Sequence, residues 1–104
     1  MRQTIKTNVG IEQDLIISYG SVTYRFEIKY NDYFSYWFID IFIDDTNEVI
    51  VSGVKLKLIY DCFNGLGINL GELYLVDTIN DGSAIDMKTD FGERLKLQRV
   101  YNET

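Results

Sequence analysis

The sequence predicts an all-β fold, either a small antiparallel β-barrel or a two-layer β-sandwich of about six to eight strands. Three observations lead there. The first is the stretch Tyr36-Trp37-Phe38-Ile39-Asp40-Ile41-Phe42-Ile43-Asp44. On a strand it puts Trp37, Ile39, Ile41 and Ile43 on one wholly apolar face, and Tyr36, Phe38, Asp40, Phe42 and Asp44 on a mixed one. A helix would scatter the tryptophan and the isoleucines around its axis. The second is the alternation from Val22 to Tyr30, with Val22, Tyr24, Phe26, Ile28 and Tyr30 facing one way and Thr23, Arg25, Glu27 and Lys29 the other. The third is composition. Eight tyrosines, six phenylalanines and a hydrophobic fraction of 46% suit a pleated, half-buried surface and exclude a disordered chain.

The elements follow in order. Met1 to Lys6 reads as a short terminal strand. Asp14 to Tyr19 places Leu15, Ile17 and Tyr19 on one side, and Gly20-Ser21 then supplies a two-residue turn of the Gly-X type. The charged alternation to Tyr30 completes this first hairpin. Asn31 to Ser35 turns the chain into the central strand at Tyr36. Asp44-Asp45-Thr46-Asn47-Glu48 turns it again, through short polar side chains that cap their own backbone. Val49-Ile50-Val51 is a short strand broken at Ser52-Gly53, and Val54-Lys55-Leu56-Lys57-Leu58 alternates once more, so the chain to this point is a meander. Residues 59–64 fit either a continuing strand or one short helical turn, since Ile59, Cys62 and Phe63 are spaced three to four apart. Gly65, Gly67 and Gly71 punctuate the connection to a strand at Glu72 to Val76. Asp77 to Gly92 has little pattern and is expected as an exposed loop with Asn80-Asp81-Gly82-Ser83 at its tip. Glu93 to Tyr101 closes the fold with Leu95 and Leu97 inward.

At 104 residues the chain is expected as one domain, 1–104. Ten basic against sixteen acidic residues give a net charge of −6, with no basic run, so specific nucleic-acid binding is not expected. No apolar run approaches membrane-spanning length, and Met1-Arg2-Gln3-Thr4-Ile5-Lys6 lacks the apolar core of a signal peptide. A soluble protein made in the cytoplasm is the expectation.

Chemistry-bearing motifs are sparse. There is no histidine, which removes the commonest general base and the histidine triads. The single cysteine, Cys62, has no partner for a disulfide or a zinc site and reads as a small core thiol. Asp40 and Asp44 share a strand face about 13 Å apart at the usual rise, wider than a glycosidase pair. With Asp45 and Glu48 they read as solvated turn carboxylates. Gly65-Leu66-Gly67-Ile68-Asn69-Leu70-Gly71 misses the dinucleotide fingerprint because Leu70 stands at the third glycine. Asp77-Thr78-Ile79-Asn80-Asp81-Gly82 misses a calcium loop because Ile79 and Lys88 occupy ligand positions. No enzyme, cofactor or metal is expected. Tyr33, Phe34, Tyr36 and Phe38 crowd a turn and the mixed face, where they fit core and interface patch equally well.

The order of motifs resembles the small baseplate plug proteins of contractile-tailed phages and prophages, the family typified by the plug of a cyanophage baseplate. The resemblance is carried by Met1-Arg2-Gln3-Thr4-Ile5, by Gly20 followed by Val22-Thr23-Tyr24-Arg25-Phe26, and by Tyr36-Trp37-Phe38-Ile39-Asp40-Ile41-Phe42. It continues through Ile50-Val51-Ser52-Gly53-Val54-Lys55-Leu56, Leu66-Gly67, Gly71-Glu72-Leu73-Tyr74-Leu75-Val76 and Phe91-Gly92-Glu93-Arg94-Leu95-Lys96-Leu97. The resemblance implies a non-enzymatic structural subunit of the tail baseplate, made in the host cytoplasm. It would be a plug or hub-associated subunit near the tail axis, packed against tube-end and hub proteins and against copies of itself. Its contacts are expected from Tyr33, Phe34, Tyr36 and Phe38 and from the loop Asn80-Asp81-Gly82. The alternative is a small β module that binds an extended peptide or glycan through the same aromatic patch.

Overall fold

The computed structural model describes residues 1–101, in which seven strands and one short helix follow one another. They are β1 (Arg2–Ile5), β2 (Gln13–Tyr19), β3 (Val22–Asn31), β4 (Tyr36–Ile43), β5 (Val49–Lys55), β6 (Glu72–Asp77), α1 (Met87–Asp90) and β7 (Leu95–Val100). β2 to β5 form a four-stranded meander in sequence order, and β7 lies between β1 and β6 in a second, three-stranded sheet. All these pairings are antiparallel. The two sheets stay separate, so of the two expected architectures the sandwich is the one adopted.

The first hairpin forms where the sequence places it. Tyr19 pairs with Val22 across Gly20-Ser21, and Gly20 has φ of 62° while Ser21 does not share the left-handed conformation. That combination is a type II′ turn, whose twist matches the strands it joins. Phe26 and Ile28 are buried as expected, whereas Val22 is exposed at the hairpin end.

β4 is the central contributor to the core. Trp37, Ile39 and Ile41 are buried on its inner face and meet Leu73, Leu75, Leu95 and Leu97 of the second sheet in one apolar cluster. Trp37 stacks on Phe91 with ring centroids 4.4 Å apart and planes at 24°. The expected break at Ser52-Gly53 is a bulge inside a continuous β5. Ile39 pairs with Val54 and Ile41 with Val51, so Asp40 alone faces the two residues Ser52 and Gly53. Gly53 takes φ of 70°, and its N–H donates to Asp40 Oδ1 at 2.8 Å.

The middle connection differs from expectation. Residues 59–64 hold no α-helix, and a hydrogen-bonded turn runs through Cys62 to Gly65. The reason is the neighbouring strand edge, which takes hydrogen bonds that a helix would need. Leu58 bridges Leu75, the Cys62 N–H donates to the Leu73 carbonyl at 2.7 Å, and Asp61 Oδ1 accepts from the N–H groups of Phe63 and Leu73, both at 2.9 Å. The single short helix lies instead at Met87–Asp90, inside the segment expected to be loop. Asp86 caps it, accepting from the N–H groups of Lys88 at 3.0 Å and Thr89 at 3.2 Å. Met1 and Tyr101 extend the β1–β7 ladder by exchanging two 3.0 Å hydrogen bonds.

Candidate interaction surface

The most exposed aromatic feature is the four-residue connection between β3 and β4. Asn31 builds it: its Oδ1 accepts from the backbone N–H of Tyr33 at 2.9 Å and of Phe34 at 3.0 Å, and its carbonyl accepts from Ser35 at 2.8 Å. This is the Asx turn that asparagine favours. Ser35 takes φ of 57° to bring the chain back into β4. The side chains of Tyr33 and Phe34 are thereby thrown outward, 87% and 68% exposed, with their rings edge to face at 4.8 Å.

Beneath the tip the chain is braced. The Trp37 indole N–H donates to the Met87 carbonyl at 2.5 Å, and Lys88 Nζ lies 3.3 Å from Asp32 Oδ1. Tyr30 packs against Trp37 with centroids 4.8 Å apart. This brace was not legible in the sequence, because Met87 and Lys88 sit in a low-pattern segment fifty or more residues away. Asp86, a good helix cap, was the one available signal.

Tyr36 and Phe38 form a second pair, 6.2 Å apart, on the outer face of the four-stranded sheet. Both are half-buried. Their neighbours are the charged residues of β3 and β5. Lys55 Nζ lies 4.8 Å above the Tyr36 ring, Arg25 lies 4.7 Å above Phe42, and Lys29 reaches Asp40 at 3.1 Å. Arg25 also pairs with Glu27 at 2.9 Å and donates to Asn47 Oδ1 at 2.8 Å. Thus the four aromatics divide into an exposed pair at the tip and a half-covered pair on the sheet.

Asn80, Asp81 and Gly82 lie elsewhere, in the exposed connection after β6. What holds that connection is Arg94, a residue the sequence reading did not single out. Its guanidinium grips Asp77 with two bonds of 2.8 and 2.9 Å and donates to the carbonyls of Ala84 at 3.0 Å and Ser83 at 3.1 Å. This grip holds the Asp77 carboxyl well below the usual carboxylate range. Asp81 is turned back on its own loop, accepting from the N–H and the hydroxyl of Ser83, which lowers its carboxyl as well.

The remaining candidate groups are occupied structurally. Asp40 is shared between Lys29 and the Gly53 amide. Cys62 is buried, its sulfur accepts from the Lys57 N–H at 3.3 Å, and burial pushes its thiol up, away from the thiolate a nucleophile needs. A second buried arginine, Arg99, was also missed, although it stands on the inward phase set by Leu95 and Leu97.

Among known protein families, the model described as "Cyanophage baseplate Pam3 plug gp18" matches residues 2–101 of this chain. No curated protein sequence matches it.

Proposed function

The chain belongs to the cyanophage baseplate plug family, hence to the structural parts of the phage tail baseplate, and from that premise we propose that it is a non-enzymatic plug or hub-associated subunit near the axis of a contractile tail. The observation that carries the reading is the extent of the match, which takes in both sheets and the connections between them. Association with other baseplate components follows from the family. The finer assignment is that tube-end and hub proteins, together with further copies of this chain, are the neighbours.

The aromatic tip is the proposed principal contact. Two large rings exposed side by side on a braced turn are a partly pre-organised anchor: little backbone freedom remains to be lost when a partner pocket closes over them. Tyr36 and Phe38 are proposed to form its flank, and the Arg94-held loop at Asn80, Asp81 and Gly82 a second contact. Particles purified from the source test this by quantitative mass spectrometry against the sheath protein. A small fixed number of copies per particle is the expected result. Absence from intact particles, with free protein in the lysate that binds a peptide or glycan, would replace the assignment with a stand-alone binding module. The paired substitutions Tyr33→Ala and Phe34→Ala should leave the free protein folded and remove it from particles. Normal incorporation of that variant would move the contact away from the tip.

A further inference from the structure

The four sheet edges of this sandwich are treated differently. The outer edge of β6 is covered by Leu58 and Cys62, and β5 is interrupted by its bulge. β1 and β2 are neither covered nor interrupted. They face each other across a groove lined by Gln3 to Lys6 on one side and Leu15 to Ser18 on the other, and no hydrogen-bonded ladder joins them. In β2 the residues Tyr19, Ile17, Leu15 and Gln13 spend their backbone groups on β3. By the alternation of an antiparallel ladder, the N–H and C=O of Asp14, Ile16 and Ser18 therefore point into the groove. Apart from the Ser18 carbonyl, which accepts from Arg99, this edge has no strand partner, and such edges are templates for another strand.

The floor of the groove carries a charge. Arg99 is only 5% exposed, and its guanidinium spans the gap, donating to Gln3 Oε1 at 2.7 Å and to the Ser18 carbonyl at 3.0 Å. The rings of Tyr19 and Tyr101 lie 4.6 and 3.9 Å from it. Among the described residues no carboxylate lies within ion-pair distance of Arg99. A buried cation without a counter-charge is costly, and a carboxylate arriving from outside would relieve it. Among the described residues, the ionisable side chains lining the groove are Arg99 and Lys6, both positive, on a chain whose net charge is −6.

We propose that this groove is a strand-addition site for an extended acidic segment of another protein, which pairs main chain to main chain with the free edge of β2 and sets an Asp or Glu side chain on Arg99 and Lys6. A second copy of this chain is disfavoured as the occupant, because two such edges meeting symmetrically would set cation against cation. The site is independent of the aromatic tip and holds whether or not the tip is a contact.

The test is an amide-resolved NMR titration of the full chain. The probe is an end-blocked nonapeptide of alternating valine and serine with one central glutamate; its twin carries glutamine there. The glutamate peptide should shift the amides of Asp14, Ile16 and Ser18 and slow their hydrogen exchange, while the twin binds about tenfold more weakly. Ile16→Pro removes an edge N–H without touching the β3 ladder and should abolish the shifts with the spectrum otherwise native. Lys6→Glu should weaken binding of the glutamate peptide. No shift at millimolar peptide, equal binding of the twins, or undiminished binding by Ile16→Pro would overturn the proposal. Dilution-dependent shifts at the same amides without peptide would overturn it in favour of a second copy.

Discussion

Tyr33 and Trp37 stand four residues apart and belong to the same class of large aromatic side chain, yet one is 87% exposed and the other 1%. Trp37 lies on the inward phase of β4, under Phe91 and tied by its indole N–H to Met87. Tyr33 lies on a turn whose backbone hydrogen bonds are all supplied by Asn31, so its ring need not pack anywhere to satisfy the fold. The contrast teaches that side-chain chemistry does not separate core from surface in this chain. Backbone geometry does. A buried ring is held by the fold, whereas an exposed ring that the fold does not use is free to serve a partner.

The sharpest way to break that contrast is at its buried end. Trp37→Ala removes the stacking surface and the indole hydrogen bond together, and about 3–5 kcal/mol of stability should go with it. Chemical denaturation measures this, and a loss below half that range would mean that the tryptophan is less central than its burial says.

Next comes the buried grip on the 80–82 loop. Arg94 depresses the Asp77 carboxyl, so the folded state binds fewer protons there than the unfolded chain. The stability gained is fully present above the ordinary aspartate range, near pH 4, and is lost as pH falls from there through the folded value. Asp77→Asn should therefore lower stability at pH 7 and flatten its fall between about pH 4 and pH 2. Denaturation midpoints at several pH values give the slope; an unchanged slope would mean that another carboxylate controls acid sensitivity.

Intermediate effects belong to the half-covered pair. Tyr36→Ala with Phe38→Ala should cost about 1–2 kcal/mol while leaving the protein folded, since only part of each ring is withdrawn from water. Outright unfolding would place these rings with Trp37 instead. The smallest effect on stability is expected at the tip, where Tyr33→Ala with Phe34→Ala should stay within about 0.5 kcal/mol of the parent. The same pair should produce the largest effect on assembly, and that inversion is the signature of a surface kept for contact.

Much of the fold was legible because period-two alternation is a direct consequence of pleating. β2, β3, β4 and the type II′ turn could all be placed from Leu15, Gly20, Phe26 and Trp37 without a partner in view. Less legible were features that depend on what lies alongside. Residues 59–64 have local spacing suited to a helical turn, but the edge of β6 competes for their hydrogen bonds and wins. α1 is four residues long, too short to show an amphipathic period, and exists because Asp86 caps it and the Trp37 indole binds its first carbonyl. Arg94 and Arg99 are charged residues inside a strand, where alternation says which way they point but not what they hold. The tip was visible as a crowding of aromatics; the division into two separate pairs was not, since it turns on the left-handed conformation of Ser35.

The pairing of Met1 with Tyr101 has a mechanical consequence. Tyr101 packs against Tyr19, so this clasp lies at the Gly20 end of β3, while the aromatic tip lies at the other end of that ten-residue strand, roughly 30 Å away. A tension applied between tip and clasp runs along the strand axes. The ladders flanking β3 and β4 are then loaded in shear, many hydrogen bonds at once, instead of being peeled apart one rung at a time. Such a body resists stretching along its length far better than prying across it.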